Sequence, residues 1–278
     1  MPHSVVTGLI AGLLALVSAP AAIANVNNSS NWAGYAIHRS AVKFRKISAV
    51  WTEPTATCRA GHRTYSAFWV GLGGFSQTSR ALEQIGTELD CTASGNEKAS
   101  AWYELVPAPS RTIRFAVHPG DTISASVSAI GHRVSVALYN ETAHRWFRRT
   151  VHATHLDVTS AEWIAEAPSA CTSPTSCRTL PLADFGRATF SLASAQAVGG
   201  HVGAISDRRW RTTKIRLTPG GRRFVVSQGA GQSVGTATPS ALTQGGSQFT
   251  VTYSSAFLRF NPVLTRRRTA LRAAYLEH

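Results

Sequence analysis

Apolar and polar residues alternate in Thr122-Ile-Ser-Ala-Ser-Val127 and again in Arg133-Val-Ser-Val-Ala-Leu138. Side chains two residues apart share one face of a β-strand, so each stretch predicts a strand with one buried face. Lys46-Ile-Ser-Ala-Val-Trp51 follows the same pattern. His118-Pro-Gly-Asp121 and Pro219-Gly-Gly221 supply turn residues between such runs. These features predict an all-β chain.

The same pattern continues from Asn31 to about Tyr253, and no long segment has a helical period with caps. The chain has 278 residues, of which 44% are hydrophobic and 15% charged, enough for one large β-domain with a real core. We therefore predict a single β-sandwich or barrel over residues 25–255. Residues 256–278 change to Arg, Leu and Ala without turns. They predict a basic tail, either a short helix or a disordered segment.

The N-terminal segment has the features of a signal peptide. Residues from Val5 to Ala24 are apolar or small, and Ala22-Ile-Ala24 is a cleavage pattern. A transmembrane anchor is the alternative, but Pro20 and the polar segment after residue 24 disfavour it. We expect residues 1–24 to be removed and the mature protein to be secreted and monomeric, without stable insertion into a membrane.

Four cysteines fit an oxidising compartment and allow three pairings; they are Cys58, Cys91, Cys171 and Cys177. The last two are close enough in sequence for a local loop disulfide, which leaves the first two as the other pair. The chain has no CxxC or HExxH pattern, and His152 and His155 lack a carboxylate or thiol at zinc spacing. We expect neither a metal nor a cofactor.

The formal charge is +14 and the pI is about 10.6. Such a charge favours anionic surfaces such as cell-wall polymers, acidic lipid or nucleic acid, and a dispersed solubilising surface is the alternative. The arginines are scattered, and the one dense run, Arg266-Arg-Arg268, lies in the predicted tail. The sequence leaves binding to anionic surfaces open and predicts no nucleic-acid partner.

Several strand-like runs put polar and tryptophan side chains on shared faces. Ala161-Glu-Trp-Ile-Ala-Glu166 puts its two glutamates on one face and its tryptophan on the other. Leu82-Glu-Gln-Ile-Gly-Thr-Glu88 puts its glutamine with its second glutamate, and Ala101-Trp-Tyr-Glu-Leu105 puts its tryptophan with its glutamate. Carboxylates in such runs are unfavourable unless paired or functional. The pattern predicts a sheet face rich in Glu, Gln and Trp, but not which strands are neighbours.

Common hydrolase signatures are absent. The chain has no Asp-Thr-Gly or Asp-Ser-Gly and no context for a cysteine nucleophile. Gly231-Gln-Ser-Val-Gly235 matches the G-x-S-x-G pattern, which requires a helix after it. Thr236-Ala-Thr-Pro239 follows instead and is poor helix sequence, so we interpret this match as chance.

Seven blocks of the chain occur in the order seen in the eqolisins, the glutamic peptidases, and the resemblance spans roughly residues 31 to 253. The blocks are Asn31-Trp-Ala-Gly-Tyr35, Phe68-Trp-Val-Gly-Leu-Gly-Gly74, Leu82-Glu-Gln-Ile-Gly86, Ala101-Trp-Tyr-Glu104, Pro119-Gly-Asp121, Ala161-Glu-Trp-Ile-Ala-Glu166 and Leu182-Ala-Asp-Phe-Gly186. The resemblance implies a β-sandwich of two antiparallel sheets, a concanavalin A-like jelly roll, with its active site on the concave face.

The resemblance also implies roles for individual residues. The family's catalytic glutamine falls on Gln84 and its catalytic glutamate on Glu166. Trp69 matches a tryptophan beside the substrate, and Trp102 and Glu104 match a block that supports the cleft.

The resemblance also implies roles for one more glutamate and for two of the four cysteines. Glu162 aligns as a structural or substrate-binding partner rather than as the base. Cys171 and Cys177 match a cysteine pair that follows the catalytic glutamate. The chain departs from the fungal pattern at Gly73, where fungal members carry Asp, and in being basic where they are acidic.

Amide hydrolysis fits these residue types. Glu166 as a carboxylate can activate water and then protonate the leaving amine, while the Gln84 amide can donate to the oxyanion at any pH. The expected substrates are proteins or peptides. One alternative is a carbohydrate-binding or glycan-cleaving sandwich, in which Glu104 and Glu166 would act as two carboxylates about 5–5.5 Å apart. Another is an inactive module that binds anionic surfaces through its basic tail.

Overall fold

The computed structural model describes residues 25–173, 176–222 and 235–255. The predicted signal peptide and basic tail lie outside these ranges, as does most of the G-x-S-x-G run. Within them the regular structure is almost entirely β, and the helical segment is one short 3-10 turn, Gln244–Gly246. In the ranges described, no helix is both long and apolar enough to cross a membrane.

The strands follow one another along the chain with short connections. They are β1 (Asn25–Ser29), β2 (Trp32–His38), β3 (Phe44–Thr52), β4 (Thr64–Leu72), β5 (Leu82–Cys91), β6 (Glu97–Val106), β7 (Arg111–Ile113), β8 (Thr122–Ile130), β9 (Arg133–Asn140), β10 (Arg145–His152), β11 (Ser160–Glu166), β12 (Ser169–Ser173), β13 (Ser176–Thr179), β14 (Arg187–Ala197), β15 (Val202–Ala204), β16 (Arg211–Leu217), β17 (Thr236–Pro239) and β18 (Phe249–Ser254).

The larger sheet is one continuous, curled structure. Its hydrogen-bonded order is β10-β9-β8-β3-β14-β18-β17-β16-β2-β11-β4-β5-β6-β7, and β12 and β13 form a separate hairpin. Neighbours along this path are antiparallel, whereas β1 pairs with β16 in parallel. The all-β prediction is confirmed. The resemblance implies two separate sheets. Here the half that runs from β10 to β14 and the half that runs from β2 to β7 are joined through β18, β17 and β16.

The main hydrophobic core lies between the two ends of this curled sheet. β3, β8 and β9 face β4 and β5 without pairing with them. The inward positions of β8 are Ile123, Ala125, Val127 and Ala129, and all four are buried, as the alternation predicted. Trp51 and Trp163 are buried in the same core. Large aromatic side chains thus fill the space between the halves.

The sheet formed by β2, β11, β4, β5 and β6 has a second buried cluster on its other face. Trp32, Trp69 and Trp102 belong to this cluster, with Leu82 and Ile164. The candidate site lies on this face, which does not line the main core.

Both predicted disulfides are present. Cys58 bonds Cys91 and so links the segment before β4 to the end of β5. Cys171 bonds Cys177 within the β12–β13 hairpin. The disulfide pairing predicted from the spacing of the cysteines is confirmed.

Candidate active site

Four neighbouring strands bring the predicted site residues onto one face. β11, β4, β5 and β6 are consecutive in the sheet, and paired residues on adjacent strands share a face. Across these strands the register forms three rows: Glu162, Gly71, Gln84, Glu104; then Ile164, Trp69, Gly86, Trp102; then Glu166, Ala67, Glu88, Ser100. The structure thus brings together all six predicted catalytic and substrate-binding residues on one surface.

The Glu166 carboxyl group is held by three side chains. Asn31 Nδ2 donates to Oε1 at 2.9 Å, and Trp69 Nε1 donates to Oε2 at 2.7 Å. The Trp32 side chain hydrogen-bonds the same group. The Trp32 and Trp69 rings pack edge to face, with centroids 5.0 Å apart. These contacts fix the orientation of a carboxyl group that is only 6% exposed.

Burial raises the pKa of Glu166 from 4.5 to about 8. The hydrogen bonds from the two tryptophans and Asn31 act in the opposite direction, because they stabilise the charged form. The charge of Glu104 acts in the same direction as burial, and the value of about 8 is the net result. Glu104 and Glu166 therefore interact electrostatically within one site.

Gln84 and Glu104 form a hydrogen-bonded pair on the neighbouring strands β5 and β6. The amide Nε2 of Gln84 donates to Oε2 of Glu104 at 2.7 Å. A carboxylate only accepts hydrogen bonds, so the NH₂ end of the amide must face Glu104. Burial raises the pKa of Glu104 to about 7, and the bond from Gln84 opposes this shift.

Two buried polar atoms, one in Gln84 itself and one in a neighbouring tryptophan, have no hydrogen-bond partner in the described parts of the chain. They are Gln84 Oε1 and Trp102 Nε1. An unpaired buried donor or acceptor is unfavourable by about 1–3 kcal/mol. This observation marks the surface next to Gln84 as one suited to a ligand with both an N–H and a carbonyl, such as a peptide.

Glu162 is fully buried at the end of the row that contains Gln84. Burial raises its pKa well above 4.5, and the charges of Asp157 and Glu83 act in the same direction. A hydrogen bond with the Ser160 side chain opposes this rise in the pKa. Ionisation of Glu162 is therefore disfavoured.

At Gly73, the position that departs from the fungal pattern, there is no room for a side chain. Its φ is +81°, and a Cβ atom there would overlap the backbone of Asp157. The Asp157 carboxylate accepts hydrogen bonds from the Ser79 hydroxyl at 2.5 Å and from the Thr159 hydroxyl at 2.6 Å. These bonds lower the pKa of Asp157. A charged carboxylate therefore packs against Gly73 from the segment before β11.

Two residues of the site were missed from the sequence. The sequence analysis assigns no role to Asn31 or Trp32, yet both contact Glu166. Trp51 and Trp163 do lie in the main core. The signal that could have identified the first pair was their position in one of the seven quoted blocks.

Comparisons with known proteins show the family to which the chain belongs. Residues 30–219 match the model of the peptidase A4 family, the eqolisins. The chain belongs to the peptidase A4 family. Aspergillopepsin-2 from Aspergillus niger is 26% identical to the peptidase over 202 residues, which are 64% of this chain and 68% of that protein.

Two solved structures share the fold of the peptidase. Scytalido-glutamic peptidase, crystallised with a transition state analog inhibitor, has a TM-score of 0.61 and 23% identity, covering 81% of this chain and 98% of that one. Aspergilloglutamic peptidase from Aspergillus niger has a TM-score of 0.53 and 26% identity, covering 69% and 99%. The peptidase is a glutamic endopeptidase acting on proteins or peptides, as the seven blocks predicted.

Proposed function

We propose that this peptidase cleaves peptide bonds with Glu166 as general base and acid and Gln84 as oxyanion donor. The proposal rests on one observation: Glu166 and Gln84 lie on the same face of the sheet, and the side chain of each is held in a fixed orientation. Glu166 is fixed by Asn31, Trp32 and Trp69, and the amide of Gln84 is fixed by Glu104.

The reaction begins with the ionised form of Glu166. The carboxylate takes a proton from water as the water oxygen attacks the scissile carbonyl carbon. The carbonyl π electrons move to the oxygen, giving an oxyanion. Gln84 has two N–H bonds, one directed to Glu104, and the second donates to this oxyanion.

The second half of the reaction returns the proton. Glu166, now a carboxylic acid, protonates the amide nitrogen of the tetrahedral intermediate. The C–N bond then breaks, the oxyanion electrons reform the carbonyl, and a new carboxyl group and amine leave. Trp69 and Trp102 pair with Gly86 from its two sides. Trp102 is 8% exposed and borders the surface on which the substrate chain lies, and the fully buried Trp69 packs beneath it. Glu162, which is fully buried, acts through the packing of this face.

The same proposal includes the expectations for the whole protein. The two disulfides favour an oxidising compartment and support export after removal of residues 1–24. We also propose a monomer and, for the fold, a sandwich of two antiparallel sheets of concanavalin A-like topology. The facing halves of the curled sheet support this description.

A digestion assay with matched variants tests the proposal. Glu166→Gln keeps the size of the side chain and removes the base, and we expect it to abolish cleavage of denatured protein at every pH. Glu141→Gln, at an exposed position, removes the same charge and should retain full activity. Cleavage by Glu166→Gln at the rate of the wild type would refute the role of Glu166. Cleavage of a glycan but of no protein would favour the carbohydrate alternative.

A further inference from the structure

A cavity of about 440 Å³ lies where the two free edges of the curled sheet approach each other. β7 is the last strand of the hydrogen-bonded path and β10 is the first. The cavity is lined by residues of both strands and of their neighbours; the lining residues that matter are Tyr103, Arg111, Arg114, Phe147 and Arg149. We call this cavity the arginine pocket.

The wall of the arginine pocket is aromatic. The ring of Tyr103 is buried and stacks with that of Phe147 at a centroid distance of 6.2 Å and an angle of 26°. The guanidinium carbon of Arg149 lies 5.9 Å above the Tyr103 ring. A cation over an aromatic face is held in place by the ring quadrupole. Arg149 is an exposed residue, and this contact places its guanidinium at the cavity.

Arg111 reaches the pocket from the opposite side. It pairs directly with Tyr103 between β7 and β6, so the two side chains share a face of the sheet. Arg114 follows β7 by one residue and lines the same cavity. Three exposed arginines from two edges of the sheet thus line one cavity.

No carboxylate lines the arginine pocket. Across the part of the chain that the structure describes, the ion pairs join His118 to Asp121 and His201 to Asp207, so none involves these three arginines. Like charges around one cavity repel one another, and an anion placed between them removes this repulsion. Guanidinium groups suit phosphate in particular, because their planar N–H pairs match its oxygens.

We infer that the arginine pocket binds a phosphate group, with Arg111, Arg114 and Arg149 donating to its oxygens. A tetrahedral group has enough oxygens to accept from all three guanidiniums at once, whereas a carboxylate has two. The pocket is distinct from the peptidase site, since Tyr103 lies on the opposite face of β6 from Trp102 and Glu104. The phosphate can be free or carried on a polymer, which would hold the peptidase on a phosphate-bearing surface.

Calorimetric titration of the full-length protein with inorganic phosphate and with linear polyphosphate tests this inference. We expect saturable binding of phosphate, weakened about tenfold or more by Arg111→Gln and by Arg149→Gln. Arg187→Gln removes the same charge from an exposed position that lines no described cavity and should bind like the wild type. Equal affinities for phosphate and polyphosphate would indicate recognition of a single group. Much tighter binding of polyphosphate, lost in the same two variants, would indicate a polymer.

Several results would overturn the inference. One is that neither ligand gives saturable binding, and another is that the three variants bind equally well or are equally weakened. The last outcome would assign the binding to the overall charge of +14. Cleavage of an uncharged peptide should be unchanged in the two pocket variants. Phosphate binding is therefore measured separately from the proposed catalytic roles, and either can fail alone.

Discussion

Glu166 combines burial with an unusual number of hydrogen-bond donors. Burial opposes its ionisation, and the donors Asn31, Trp32 and Trp69 favour it, so the balance sets the pH at which the base becomes active. The net result is a pKa raised to about 8. In the pH profile of kcat/KM, the rise on the acid side (the acid limb) should therefore lie at a higher pH than it would for a base with the ordinary pKa of glutamate.

Removing one donor should move this limb in a known direction. Trp69→Phe deletes the N–H bonded to Glu166, so the pKa of Glu166 should rise, and the acid limb should shift upward by about one pH unit. Trp102→Phe is the matched control, because its Nε1 donates to no described residue. It should lower kcat/KM without shifting the limb. A pH profile of Trp69→Phe identical to that of the wild type would contradict the role of this bond.

Removing the neighbouring charge should act in the opposite direction. Glu104→Gln eliminates the negative charge that raises the pKa of Glu166, so the acid limb should move to lower pH. It also removes the acceptor that orients the Gln84 amide, and kcat should fall at every pH. The measurement is the pH profile of kcat and kcat/KM on one peptide. An upward shift of the limb would show that the coupling has been assigned the wrong sign.

At the scale of the strands, Gly86 allows β4 and β5 to pack closely beneath the substrate surface. A Cβ atom there would overlap the carbonyl oxygen of Phe68 and would lie 2.6 Å from Cβ of Trp69. Gly86→Ala should therefore lower the free energy of unfolding by about 1–3 kcal/mol, as overpacking does. Gly199→Ala, in open space, should change it little. Urea denaturation of both variants checks this, and equal stabilities would contradict the close approach.

The faces of the site strands could be predicted from sequence, because alternation is local. The alternation placed Glu162 with Glu166, and Gln84 with Glu88, and the register agrees. Which strands are neighbours could not be derived in this way. The bond between Trp69 and Glu166 joins residues 97 apart in sequence, and only long-range pairing brings them together.

Trp32 shows a second limit of the alternation. Six consecutive residues of β2 are buried, from Trp32 to Ile37, so both faces of this strand are covered. A strand buried on both faces has no polar alternation to indicate which side a tryptophan occupies. The alternation therefore could not show that Trp32 contacts Glu166.

At the scale of the whole molecule, the buried acids determine how stability depends on pH. Burial raises the pKa of Glu53 to about 7, of Glu83 to about 9 and of Glu166 to about 8, all from 4.5. A group with a raised folded pKa binds its proton more tightly in the folded state. Its contribution to stability is complete below pH 4.5 and is lost as the pH rises through the folded pKa.

The peptidase should therefore be more stable near pH 4.5 than near pH 8. Between these values the free energy of unfolding should fall by at least about 1.4 kcal/mol, the equivalent of one pKa unit. Urea denaturation at constant, moderately high salt measures this while screening the repulsion of the basic surface. Glu83→Gln should flatten the curve, and Glu141→Gln at its exposed position should not. Stability that increases from pH 4.5 to pH 8 would contradict the account.

The central claim is that Gln84 stabilises the oxyanion that forms on the scissile carbonyl when water, activated by Glu166, attacks it. The rate at which the Gln84→Ala variant cleaves a peptide tests this claim most directly. We expect kcat/KM on one peptide to fall by about 10²–10³-fold, equivalent to about 2.7–4 kcal/mol of transition-state stabilisation. The melting temperature should show that the variant remains folded. Glu141→Ala serves as the control for truncation at a surface position. A folded Gln84→Ala that retains the kcat/KM of the wild type would contradict the account.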